Sequence, residues 1–153
     1  MVLEIRGSAR KLSLEEINAF IKKLGIPPFP DDYMEFLIQH NGGVPSPDTY
    51  FIQNHPEKFC DIHSFFGIEV QIEARCLDWI FYECQDYIPR NLFPIGNSST
   101  NDLICLSLSG ETRGGVFFLD CMAETNDNVY KIANSFTEFL EGLYEFQDPD
   151  EIN

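Results

Sequence analysis

At 153 residues the chain fits one domain that buries about two-thirds of the surface its unfolded form exposes, so no metal or disulfide is needed to hold it together. Its 25 acidic against 10 basic residues, a net of −15, argue against nucleic acid and anionic membrane as partners, because both are bound through Lys and Arg on phosphate. The charge is uneven: residues 1–23 carry +2, which leaves −17 on residues 24–153, a surface that complements a basic protein or simply keeps the chain soluble.

In chain order, a short extended piece over residues 2–5 precedes a helix over 14–24. Ser13 and Glu16 form a capping box there, Leu14, Ile17, Phe20, Ile21 and Leu24 share a face, and Gly25 supplies the left-handed stop. Pro27, Pro28 and Pro30 hold an extended connection into a second helix. Asp31 and Asp32 lie in its first turn, Tyr33, Phe36, Leu37 and His40 form its stripe, and Asn41, Gly42 and Gly43 end it. Strands follow at 49–52 and 61–66, read as sheet neighbours, and a third helix spans most of 68–87, with Ile72, Cys76, Trp79, Ile80 and Glu83 on one side and Pro89 closing it.

Three apolar runs, 92–95, 103–108 and 116–120, separated by Asn, Ser, Thr and Gly clusters, predict a β-meander. Strand alternation points Ile104, Leu106 and Leu108 at the core, and both faces of 116–119 are apolar, which predicts a central strand there. After a polar loop over 123–128 and a brief strand over 129–133, a last helix begins at a second capping box, Ser135 and Glu138. Phe136, Phe139, Leu140, Leu143 and Phe146 line its docking side, and the acidic tail 147–153 reads as mobile.

Chemistry is sparse. His40, His55 and His63 lack metal-site spacing, residues 96–100 (GNSST) read as a plain turn, no GxSxG is present, and no cofactor motif or catalytic constellation emerges. Five cysteines without a CxxC pair read as reduced thiols, and without a leader-like apolar stretch or a membrane-spanning run the expectation is a cytoplasmic protein. The carboxylates singled out are Asp31, Asp32 and Glu35 on the second helix, Glu69, Glu73, Asp78, Glu83 and Asp86 around the third, and Asp102 and Glu111 at the ends of the meander. They serve either as helix-dipole complements on a solvated face or as a nucleic-acid-like patch toward a basic partner. In the second case Tyr50, Phe66 or Tyr82 supplies most of the binding energy.

The ordered set Leu24 and Gly25, Pro30 to Tyr33, Phe36 and Leu37, Asn41 to Gly43, Pro94 to Gly96, Asp102, then Ser135, Phe136, Phe139 and Leu140 resembles the SUKH superfamily over residues 13–143. The resemblance implies an α+β domain, a mostly antiparallel twisted sheet with helices packed against it. It also implies an immunity protein of a bacterial polymorphic toxin system, which binds and neutralises a protein toxin, often a nuclease; the −17 on residues 24–153 suits a basic one, and the chain is expected to be a monomer. Relatives include a fungal regulator of cell-wall synthesis and a bacterial protein that interacts with the secretion translocon, so a regulatory adaptor without a toxin is the alternative. In such families toxin contacts lie mainly on variable surface, so the motif residues Asn41, Gly42, Gly43, Pro94 and Gly96 are structural. This chain departs from the pattern by placing Asn101, where the family usually has Gly, before Asp102.

Overall fold

The computed structural model describes residues 2–121, 123 and 127–148. The elements run β1 (Glu4–Arg6), α1 (Leu14–Leu24), α2 (Asp31–Gln39), β2 (Val44–Ser46), β3 (Thr49–Phe51), β4 (Phe59–Asp61), β5 (Ser64–Phe65), a 3-10 turn (Glu73–Arg75), α3 (Leu77–Cys84), β6 (Leu92–Asn97), β7 (Leu103–Ser107), β8 (Val116–Leu119), β9 (Val129–Ala133) and α4 (Phe136–Glu141). The fold is α+β, and every strand pairing is antiparallel: a sheet ordered β5-β6-β7-β8-β9 and two small ribbons, β1-β2 and β3-β4.

α1 forms where its caps dictate. Ser13 Oγ accepts the Glu16 amide, the Glu16 carboxylate accepts the Ser13 amide, and Gly25 closes the helix at φ 68°. Ile17, Phe20 and Ile21 face the core, whereas Leu14 is exposed. α2 has no side-chain cap and buries Tyr33, Phe36 and Leu37. Beyond it Asn41 is buried, donates to the carbonyls of Arg10 and Ile68, and accepts the Ile68 amide. Gly43 sits at φ 126°, where a Cβ would stand 2.7 Å from the Arg6 carbonyl oxygen, so the β1-β2 ribbon crosses there only on a glycine.

The meander is present as β6, β7 and β8; β8 is an interior strand between β7 and β9, as its two apolar faces suggest, while the middle of the five is β7. Both strands have neighbours on either side, but all five residues of β7 are buried because both of its faces are covered, while Phe117 of β8 is half-exposed. Residues 61–66 are not one strand. β4 pairs with β3, His63 breaks the run, and β5 joins the main sheet through β6. Nor are residues 68–87 mostly helix: Glu69 has φ 53°, a 3-10 turn follows, and only Leu77–Cys84 is α-helical. The last helix stops at Glu141. Its Ser135 accepts the Glu138 amide without the reciprocal half of a capping box, and Phe146 lies beyond it, exposed. The predicted loop 123–128 and tail 147–153 fall partly outside the described residues.

Candidate partner interface

The β3-β4 ribbon divides its aromatics by alternation. The register sets Tyr50 opposite Cys60 and Phe51 opposite Phe59; Tyr50 points inward at 1% exposure, while Phe51 and Phe59 face outward at 57% and 42%. The chain after α4 runs back along this ribbon. Thr49 and Tyr144 exchange both backbone hydrogen bonds, 3.1 and 2.9 Å, and Phe146 stacks on Phe59 with ring centroids 5.2 Å apart. Between this edge and the ends of β7 and β8 lies a cleft of about 620 Å³. Its walls carry Asp48, Glu57, Asp61, Asp102 and Asp120 around Phe59, Phe118 and Phe146, and among the described residues no Lys or Arg lines it.

Three polar groups of the cleft, Asp102, His55 and Asp120, are engaged within the fold. Asp102, buried, accepts from the hydroxyls of Ser98 and Thr100 on one oxygen and from the Cys121 amide on the other. It is the organiser of the 96–102 turn, not a freely presented contact. Asn101 occupies the left-handed region at φ 65°, which Asn tolerates, so the turn into Asp102 forms without a glycine there. His55 Nδ1 accepts the Glu57 amide at 3.1 Å, which places its proton on Nε2, 3.2 Å from Asp120 Oδ2. Packed edge-on to Phe118 and Tyr130, this pair resembles the base-and-orienter half of a triad. The nitrogen that would address a nucleophile is taken by a backbone amide, so the pair fastens the ribbon to the end of β8.

The field of these carboxylates reaches Cys121, an exposed free thiol. Partial burial, with Asp102, Cys84 and Asp120 nearby, pushes its pKa up to about 11. Alkylation by iodoacetamide at pH 7.5 is therefore expected to be about tenfold or more slower than for free cysteine. Mass spectrometry of native and unfolded protein checks this, and equal rates in the two states would refute it.

A second groove, about 600 Å³, lies between α1, α3 and the 68–76 segment. It collects Glu69, Glu73, Asp78 and Tyr82 but also Arg10 and Lys23, and Arg10 bridges Glu16 at 2.7 Å and Glu69 at 2.8 Å. The acidity predicted for this region is thus partly answered by the basic N-terminal residues. The other candidates lie elsewhere. Asp31 and Glu35 are exposed on α2, Glu83 and Asp86 are exposed at the end of α3, and Glu111 sits in the β7-β8 turn. Asp32 accepts both the amide and the hydroxyl of Thr137 and so ties α2 to α4. Tyr50 and Phe66, at 1% and 2% exposure, are core residues and cannot serve as contacts; Tyr82 is exposed. The acidic and aromatic residues missed from sequence, Asp48, Glu57, Phe59, Asp61, Asp120 and Phe146, are those that the cleft brings together. Among the described residues no group of three His, Cys, Asp or Glu could hold a metal, and no helix is long and apolar enough to cross a membrane.

A comparison with protein families matches residues 11–142 to the SMI1 / KNR4 family (SUKH-1). The chain belongs to this family. No curated protein matches it. The SUKH-1 motif residues have structural duties here. Asn41 is the buried bridge described above, and Gly96 lets β6 approach β5 so closely that a Cβ would stand 2.9 Å from the Ser64 carbonyl oxygen. Pro94 is buried in β6, where the register with β7 shifts between Pro94 and Gly96. The SUKH-1 match ends before Tyr144 and Phe146, so one wall of the cleft lies beyond the matched span.

Proposed function

We propose that this SUKH-1 chain is a non-catalytic binding protein that neutralises a cognate basic protein toxin by stoichiometric association. The observation that carries the reading is family membership over residues 11–142. The net charge of −15 fits it, because a nucleic-acid-cleaving or otherwise basic partner meets a surface of opposite sign. The family's name joins SMI1 and KNR4, which keeps a regulatory adaptor without a toxin as the second reading.

Affinity capture with the tagged full chain from its source lysate, washed at low and high salt, separates the two. One basic protein at near-equal stoichiometry, whose toxicity in a sensitive host the chain suppresses, supports neutralisation. Envelope-synthesis or secretion components without toxicity support the adaptor. With the partner in hand, raising NaCl from 50 to 500 mM is expected to slow association about tenfold or more while changing dissociation far less. Stopped-flow or surface-plasmon measurements check it, and a salt-insensitive on-rate would remove charge from the account.

A further inference from the structure

We propose that the cleft beside the β3-β4 ribbon is where the partner docks, and that it receives an arginine side chain from a basic protein face, stacked on Phe59 and Phe146 and held by Glu57 and Asp61. This deepens the proposed function and rests on its claim of a basic protein partner.

Three observations converge on this place. Phe59 and Phe146 stand 42% and 49% exposed and stacked on one wall of the cleft, and contiguous exposed aromatics of this kind mark interaction surfaces. The cleft that they border has carboxylates and no internal cation, whereas the groove beside α1 already contains Arg10 and Lys23. Behind the wall, burial pushes the Tyr50 hydroxyl's pKa up, aided by Cys60, Asp61 and Asp102, and all three of these residues line the cleft.

The chemistry selects a guanidinium over other occupants. A planar, weakly hydrated cation stacks on phenyl faces and reaches carboxylates with a fork of donors, which a lysine ammonium cannot do. Asp102 is fully engaged within its turn and His55 is bonded to Asp120, so these two supply field. Asp61 gives one oxygen to the Ser99 amide and keeps the other for the partner. Glu57 is exposed on the rim. Phe146 lies outside the span matched by the family, as a surface that distinguishes one family member's partner from another's would.

The test is an NMR titration of the ¹⁵N-labelled full chain with hexa-arginine peptide, which needs no toxin. Shifts are expected to concentrate on residues 48–61, 98–102 and 118–120. The double variant Glu57→Gln/Asp61→Asn is expected to weaken binding about tenfold. The charge-matched Glu35→Gln/Glu83→Gln pair, on α2 and α3, should change it less than about twofold. Phe59→Ala and, should that variant lose spectral dispersion, Phe146→Ala should each weaken binding by about fivefold. Shifts spread over α2 and α3, or equal losses from the two charge-matched pairs, would overturn the assignment. A toxin neutralised equally well by the cleft variants would overturn the site and leave neutralisation standing. A cleft-localised peptide response in a chain that suppresses no toxin would sustain the site and remove neutralisation.

Discussion

Phe136→Ala is expected to lower the stability of the chain by about 4 kcal/mol, near the upper range for a buried aromatic. Phe136 opens α4 directly after the Ser135 cap and is 1% exposed. Its ring lies 4.9 Å from Phe36 and 5.2 Å from Tyr33, both edge-on, with Phe65 at 6.0 Å and Phe139 at 6.3 Å. One side chain therefore joins α2, α4 and β5. The alanine loses the transfer energy of the ring and, beyond it, roughly 0.5–1.5 kcal/mol for each well-placed aromatic pair, and it leaves a void that helices and a sheet edge cannot collapse to fill. Phe136→Leu retains most of the volume and should cost less than half as much. Urea unfolding measures both, as a lower midpoint at an unchanged slope. A loss below about 2 kcal/mol for the alanine would show that the site relaxes and that this aromatic cluster is not the joint described.

The elements legible in sequence are those whose signals are local. α1 carries its start at Ser13 and Glu16, its stop at Gly25 and a stripe at helical spacing, and all three act within a few residues. The meander is legible because its turns are written in Gly, Asn and Ser between apolar runs. What failed depended on distant partners. Residues 68–72 have helix-like apolar spacing, but the Ile68 amide and carbonyl are claimed by Asn41, 27 residues away, and Glu69 turns left-handed. Tertiary hydrogen bonds of that kind override propensity. The three-residue β4 and two-residue β5 are too short for alternation to separate, so they read as one strand. The two apolar faces of 116–119 mark an interior strand, and β8 is one, with β7 and β9 on either side; that β7 holds the middle of the five follows from sheet order, which composition does not state.

The candidate interface was less legible still. Charge can be counted from sequence, but whether it is answered cannot: Glu69 meets Arg10 across 59 residues, while Glu57 and Asp61 come into one cleft on whose walls, among the described residues, no Lys or Arg stands. Exposed and buried aromatics share the same letters. Tyr50 and Phe51 are adjacent and point to opposite sides, and only the position of the ribbon's edge says which one meets a partner.

Asn41→Ala is expected to cost about 3 kcal/mol, an effect far larger than the loss of one small polar side chain suggests. The side chain is 2% exposed and satisfies three backbone groups at once: it donates to Ile68 at 2.8 Å and to Arg10 at 3.0 Å, and accepts from the Ile68 amide at 2.7 Å. Alanine provides no replacement. The Ile68 groups remain buried without partners, and each such group costs roughly 1–3 kcal/mol. The midpoint of thermal unfolding should fall by about 6–12 °C in a chain of this size, measured calorimetrically. Gly67 gives an independent check, because a Cβ there would sit 2.5 Å from Asn41 Oδ1 and 2.6 Å from Val70 Cγ1. Gly67→Ala alone should therefore destabilise by pushing the Asn41 amide out of register, and in the Asn41→Ala background much of that penalty should vanish. The double-mutant cycle should show coupling of about 1 kcal/mol or more. Strict additivity would mean that Gly67 and Asn41 act separately, and that the 68–76 segment beside Arg10 is positioned by something other than this amide.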